Sequence, residues 1–384
     1  MAGVLASDRN PSMNHAVIRF PRILSRWACL ALLLLTVACS DSSAPGAGGA
    51  AAPAARKIKI ELHSEFQLNL PVLGTTIRHI AERVETASGG NVRIELNEPG
   101  AVVPHLQTLD AVSAGKVDAG YSTSGYWAGK LPAAPLFASV PFGPEAGEYI
   151  AWMHHGNGLK LYQEMYDRAG FNVKVLICGV ITPETSGWFA RRIDGPDDLK
   201  GLKMRFFGLG GRVMEKLGVS VTLLSSAEIF QALEKGVIDA TEYSLPTIDQ
   251  KLGFHQIVKH NYFPGWHQQA TFTEMLINRK KWDRMSPGQQ ALIEMACGDA
   301  IVHAMAEGEA TQFAAMRRNE TEHGVTMHYW SPQMLDLFRS TWEQVAKDEC
   351  ERDPFFRKVY EDLAAFRADY DLWERNAFLP RVGR

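Results

Sequence analysis

The sequence predicts an α/β protein of two lobes, each a mostly parallel, doubly wound sheet flanked by helices, with a helical C-terminal segment. Three observations carry that prediction. Short stretches of alternating apolar and polar residues recur with helical stretches between them, the pattern of strands joined by crossover helices. The alternation restarts after residues 173–180, which places the first crossing between lobes there. From residue 280 onward the pattern is almost wholly helical. At 384 residues, 46% hydrophobic and 22% charged, the chain has room for two medium domains and an ordinary globular composition.

Residues 1–38 read as a targeting element. Arg19, Arg22 and Arg26 precede an apolar run over 27–38, and these twelve residues are too few to span a bilayer but suit a signal peptide. The run ends Leu35-Thr36-Val37-Ala38-Cys39, which resembles a lipoprotein cleavage box with Thr36 where leucine is usual. Lipidation at Cys39 is the expectation, and an ordinary cleaved signal with an incidental cysteine is the alternative. Residues 39–56, rich in Ser, Ala, Gly and Pro, read as a flexible tether in an export compartment. Removing residues 1–38, which carry four arginines and one aspartate, takes the formal net charge from −3 to −6. A net-acidic chain exerts no overall pull on anions or nucleic acid, so an anionic ligand has to be held by local groups.

In the body, residues 57–65 alternate as a strand, 72–86 place Ile77, Ile80, Ala81 and Val84 on one helical face, and 91–97 alternate again. A helix over 106–114 and a strand over 118–121 follow. The lobes are expected at 57–180 with part of 270–300, and at 181–269 with 301–330, leaving 331–384 as the C-terminal segment. Residues 203–207 read as a short strand, after which Gly208, Gly210 and Gly211 let the chain turn into a helix over 212–217. Arg205 therefore stands at a strand end beside a helix N-terminus, a place to grip a carboxylate with two parallel hydrogen bonds. A structural ion pair is the plainer alternative for that arginine. No GK[ST] follows the glycines, which argues against a phosphate loop.

Residues 280–322 are helical after Pro287, with Leu292, Met295, Ala296, Ile301 and Val302 as the expected apolar face. Residues 331–378 form a second helical region interrupted at Asp353-Pro354, with Leu335, Phe338, Trp342, Val345 and Phe355 as core positions. Beyond Cys39, three cysteines remain at 178, 297 and 350, an odd number without close spacing. Free buried thiols are expected, with one disulfide at most and no zinc motif. A secreted metal-dependent enzyme using His154, His155, His267, Glu184 and Glu242 is a rival class, but no HExxH, GxSxG or Cys/His pairing supplies its mechanics. A sensory module that binds the same ligand is a third reading.

The stretch from 187 to 278 carries a resemblance. Its parts are GWF at 187, DLKGLKMR at 198, GLGG at 208, KLG at 216, EIFQALEKG at 228, VIDATEY at 237 and PGWH at 264. In that order they resemble the solute-binding subunits of tripartite ATP-independent periplasmic (TRAP) transporters, the DctP-like family, over residues 58 to about 377. The branch that carries 2-oxo and 2-hydroxy monocarboxylates is the most similar. The resemblance implies a periplasmic, two-lobed binding protein with a long helix tying the lobes, which hands a small carboxylate to membrane permease subunits. It implies Arg205 as carboxylate anchor, with Glu242 and Tyr243 reaching the same crevice, and Tyr243 standing where relatives often have Trp. It also implies a sodium or calcium ion between ligand and protein, held by Glu242, Tyr243, Gln268 and Glu184. In that branch an amide stands near position 184 and a glutamate at position 268, so the two are exchanged here and the number of carboxylates is kept. Tyr126 and Trp127 are expected at the apolar end of the ligand, Trp188, Phe206 and Trp266 as packing near the hinge, and Asn69 as a minor contact. Some relatives dimerise through C-terminal helices, and packing on the chain's own lobes is the simpler account.

Overall fold

The computed structural model describes residues 57–379. The signal segment, Cys39 and the whole tether lie outside the described residues. The first sheet opens with β1 (Ile58–Ser64), α1 (Leu73–Ala87), β2 (Val92–Asn97), α2 (Thr108–Ala114) and β3 (Ala119–Ser122). Each strand buries its apolar positions, as in Ile58, Ile60 and Leu62, and the helices lay their apolar faces on the sheet. Then come α3 (Ala146–His155), α4 (Gly158–Arg168) and β4 (Val173–Ile181).

The second sheet is built from β5 (Gly187–Phe189), β6 (Lys203–Arg205), α5 (Gly208–Lys216), β7 (Ser220–Thr222), α6 (Ser226–Glu234), β8 (Ala240–Thr241), α7 (Pro246–Leu252), α8 (Phe254–Ile257) and β9 (His260–Phe263). The chain then returns to the first sheet as β10 (Thr271–Asn278), followed by α9 (Arg279–Asp283) and α10 (Pro287–Thr321). A last strand, β11 (Thr326–Tyr329), adds to the second sheet before α11 (Pro332–Arg352) and α12 (Pro354–Ala377). Strand order is β2-β1-β3-β10-β4 in one sheet and β11-β9-β5-β8-β6-β7 in the other.

Both sheets are mixed rather than nearly all parallel. β10 runs antiparallel to β3 and β4, and β5 runs antiparallel to β8 and β9. The cause is the double crossing, because a strand that enters from the opposite lobe arrives without a crossover helix to reverse it. The helix expected at 212–217 begins four residues earlier, with Gly208 at φ +64° as its first residue.

α10 is 35 residues, roughly 50 Å, and packs on α1 and β4 of the first lobe and on α7 of the second. Ser286 and Gln289 form a capping box at its start, with Pro287 at the first turn. Its buried stripe runs through Ile293, Ala296, Cys297, Ala300, Ala304 and Gly308. Met295 and Val302 instead are 71% and 67% exposed. Small residues make that seam because the helix must lie close to both lobes, which hides the stripe from a hydrophobic pattern.

The cysteines also depart from expectation. Cys178 of β4 and Cys297 of α10 form a disulfide with Cα atoms 4.1 Å apart, and Cys350 is free. Their sequence separation of 119 conceals a contact that the helix-on-strand packing creates.

α11 packs on α5 of the second lobe and α12 on α3 and α4 of the first. Phe338, Trp342 and Val345 are buried as expected, whereas Leu335 and Phe355 are half-buried and Phe356 takes the core position. Asp353 caps α12 through the Phe356 N–H, restarting the helix after α11. Among the described residues, no helix is long and apolar enough to cross a membrane.

Candidate functional site

Where the two lobes meet, a small cavity is lined by Phe66, Leu73, Thr123 and Tyr126 from the first lobe's loops and helices, and by Arg205, Phe207, Tyr243 and Ser244 from the second. The remaining lining comes from the crossing segments: Ile181, Glu184, Gln268, Thr271 and Thr273. Its volume is about 20 Å³, room for roughly one water molecule, so the lobes stand closed on it.

Register places the central pair. β6 and β8 run parallel with Arg205 beside Thr241, so Glu242, the next residue, lies against the arginine. Arg205 Nη1 donates to Glu242 Oε1 at 2.6 Å and to the Glu242 carbonyl at 2.5 Å, and Nε donates to the Leu224 carbonyl at 3.3 Å. The guanidinium carbon lies 5.0 Å from the centre of the Tyr243 ring. Both members are buried, at 1% and 0% exposure.

Glu242 Oε1 also accepts the Phe207 N–H at 2.6 Å, so an internal carboxylate takes the amide just before α5 that the sequence suggested for an external anion. Burial pushes the Glu242 carboxyl up, but the Arg205 charge, His267 and the Phe207 amide together hold it below the ordinary range. Glu242 Oε2 has no hydrogen-bond partner.

Glu184 sits in the segment leaving β4, its amide bonded to the Gln268 carbonyl. Gly265 allows that approach, since a Cβ there would collide with the Glu184 backbone. Glu184 Oε1 accepts from Gln268 Nε2 and from Thr271 Oγ1, each at 3.2 Å. Glu184 Oε2 and Gln268 Oε1 have no hydrogen-bond partner, although both residues are 3% exposed. Burial, then repulsion from Glu242 and Asp249, push the Glu184 carboxyl well above the ordinary range. Asp249, fixed by the Trp188 indole at 2.8 Å and the Ser244 amide at 3.1 Å, is pushed up to about 7, mainly by burial.

Of the residues singled out in the sequence, Arg205, Glu184, Tyr243, Gln268 and Tyr126 line the cavity and Glu242 backs it. Tyr126 packs edge-on against Phe207 of the other lobe, centres 5.2 Å apart, and Gly125 leaves the space that ring needs. Burial raises the Tyr243 hydroxyl to about 12. Trp127 does not face the cavity: its indole donates to Glu274 at 2.8 Å, within a set that also includes Ser122, Tyr162 and Tyr166. Asn69 is exposed, as are His154 and His155 at the end of α3. Trp188, Phe206 and Trp266 are packed inside the lobes, Trp266 stacking on Phe338 at 4.6 Å.

Sequence reasoning missed Phe66, Leu73, Thr123, Ile181, Phe207, Ser244, Thr271 and Thr273. Only Thr271 and Thr273 left a signal, two hydroxyls alternating along one strand.

The model of the bacterial extracellular solute-binding proteins, family 7 (DctP), matches residues 65–353. The chain is 36% identical over 305 residues to a monocarboxylate 2-oxoacid-binding periplasmic protein of a Nostoc species, a match covering 79% of this chain and 83% of that one. A solved TRAP transporter solute-binding protein of Bordetella bronchiseptica, a mixed-occupancy dimer with copurified calcium and picolinate, is similar at a TM-score of 0.81 and 30% identity over 84% of this chain and 95% of that chain. Another from Pseudoalteromonas atlantica, with bound sodium and pyruvate, matches at a TM-score of 0.79 and 28% identity over 84% and 97%.

Proposed function

Because the chain belongs to the family 7 bacterial extracellular solute-binding proteins, the DctP family of TRAP transporters, we propose that its cleft captures a small 2-oxo or 2-hydroxy monocarboxylate together with a cation. The observation that carries the reading is a group of buried side-chain oxygens without partners, Glu184 Oε2, Glu242 Oε2 and Gln268 Oε1, beside a cavity that Arg205 also lines. Buried oxygens left unpaired cost free energy, and a hard cation with oxygen ligands such as sodium or calcium fits that donor set. Glu184, Glu242 and Gln268 would hold the ion, with Tyr243 beside them, and the ion would supply positive charge for the ligand's oxygens.

Arg205 offers its guanidinium to the ligand carboxylate while Glu242 keeps it oriented. Tyr126, Phe66 and Phe207 exclude water around the ligand's apolar end. A cavity of about 20 Å³ admits a three-carbon acid only after the lobes open, so capture is a hinge motion in which contacts from both lobes favour closure. The hinge divides the lobes near residues 181 and 270, with α10 spanning both.

The role is binding and delivery to membrane permease subunits, not catalysis. The protein works in the periplasm, anchored through a lipid on Cys39. Homodimer formation through the end of α12 and the residues that follow it is supported by Leu372, Trp373, Phe378 and Leu379, all 59% exposed or more.

A thermal-shift series on ligand-stripped protein tests the reading. Pyruvate or lactate with calcium or sodium should raise Tm, and neither acid nor ion alone should raise it as far. A larger shift with C4 dicarboxylates, or none with any acid, would contradict it.

A further inference from the structure

Three hydroxyls around the cavity have no task in the cation and carboxylate reading: those of Thr123, Tyr243 and Ser244. All three are buried, the residues being 5%, 7% and 1% exposed, and none of the three oxygens has a hydrogen-bond partner. Thr123 comes directly after β3 in the first lobe, whereas Tyr243 and Ser244 follow Glu242 beyond the end of β8 in the second. The Asp249 carboxylate accepts the Ser244 N–H at 3.1 Å and fixes the backbone there. Another buried hydroxyl without a partner, that of Ser226 at the start of α6, lies near the Tyr243 hydroxyl.

A hydroxyl donates one hydrogen bond and accepts two, and a buried one left without a partner costs free energy. A hydroxyl on the ligand has the same capacity and carries no charge. A second carboxylate fits the position less well. Among the residues lining the cavity Arg205 is the only basic one, and it serves the first carboxylate. Glu242 and Asp249 already repel the Glu184 carboxyl in this crevice. The Arg205 guanidinium carbon lies 5.0 Å from the centre of the Tyr243 ring, so a ligand whose carboxylate rests on Arg205 has its next carbons within reach of the tyrosine.

We propose that Tyr243, together with Thr123 and Ser244, selects acids that carry a further hydroxyl beyond C2, the 3-hydroxy-2-oxo and 2,3-dihydroxy monocarboxylates, over the same acids without it. The inference rests on the carboxylate reading of the cleft and narrows its substrate class. Phe66, Phe207 and Tyr126 cover the carbon chain, and the three hydroxyls take its substituent. Because Thr123 belongs to one lobe and Tyr243 and Ser244 to the other, the complete set of bonds forms only when the lobes are closed. The added hydroxyl therefore favours closure. A site built to bond a ligand hydroxyl discriminates against the analogue that lacks it, since its own buried groups are then left unpaired.

Calorimetric titration of the calcium-loaded protein with acids that differ by one hydroxyl, 3-hydroxypyruvate against pyruvate and glycerate against lactate, reads this selectivity. The wild type should bind the hydroxylated member of each pair at least about tenfold more tightly. Tyr243→Phe keeps the ring and Thr123→Val keeps the shape, and each should lower the ratio of the two affinities by about fivefold or more. Were Tyr243 only a packing residue, both acids would weaken together and the ratio would hold. Tight pyruvate binding with a wild-type ratio at or below one sinks this inference alone. A wild-type preference that neither variant reduces overturns the assignment to these hydroxyls. Absence of binding by all four acids sinks the carboxylate reading, and this inference with it.

Discussion

Replacing Arg205 by alanine leaves Glu242 as a carboxylate at 0% exposure with only the Phe207 amide still donating to Oε1. Breaking a buried pair from one side costs about 3–5 kcal/mol at neutral pH. For a body of this size each kcal/mol corresponds to about 2 °C, so Tm should fall by roughly 5–10 °C. The pH dependence separates charge from lost volume. In the wild type Glu242 is held below its ordinary range, so its stabilisation is present above the unfolded-state value and fades as pH falls through the folded one. In the variant, burial is opposed only by His267 and the Phe207 amide and raises the carboxyl, so the penalty is absent below the unfolded-state value and grows as pH rises through the raised one. The Tm gap between wild type and variant should therefore narrow between pH 7 and pH 4. Arg205→Met, which keeps most of the volume, should show the same narrowing. Circular dichroism melts in chelator read both effects, and pyruvate affinity should fall below detection in each variant. A Tm within 2 °C of wild type at pH 7, or a gap that does not change with pH, would refute the argument.

Reducing the Cys178–Cys297 bridge releases a 119-residue loop, worth about 5 kcal/mol in the chain-entropy model, so dithiothreitol should lower Tm on the order of 10 °C, and Cys297→Ser should show no further drop with reductant. A Tm insensitive to reductant in the wild type would mean that the thiols are unpaired. In chelator, the raised carboxyl of Glu184 gives stability that is complete below the unfolded-state value and is lost as pH rises through the folded one. Glu184→Gln should therefore flatten the fall in Tm between pH 5 and pH 8 and weaken the response to calcium; an unchanged profile would show that Glu184 does not titrate there. Gly125→Val puts a Cβ into the Phe207 ring across the cleft, so it should weaken pyruvate binding at least about tenfold while moving the ligand-free Tm little. Wild-type affinity would mean that the lobes need not close to this extent.

The alternation of strands and helices was legible because each strand buries one apolar set and each helix one face. Arg205 was legible because a motif ends its strand, whereas Glu242 and Tyr243 came from the likeness to a known branch, and the parallel pairing of β6 and β8 sets Glu242 against Arg205. Glu184 and Gln268 came from the likeness to a known branch, and the structure places them side by side with Thr271. Trp127 was misread because an aromatic next to Tyr126 can face either way, and the buried Glu274 that turns it inward is nearly 150 residues distant. The partnership of Cys178 with Cys297 and the buried face of α10 were hidden for one reason, a helix held against two lobes through small residues. Phe207 and Gly125 meet only when the lobes come together, and no local pattern records that contact.

Calorimetric titration of pyruvate into cation-stripped protein, and again after adding calcium, tests the cleft's function most directly. The account predicts a single site whose affinity rises by at least tenfold with the ion and whose heat vanishes in Arg205→Ala. Binding that ignores the cation, or that survives the loss of Arg205, would contradict it.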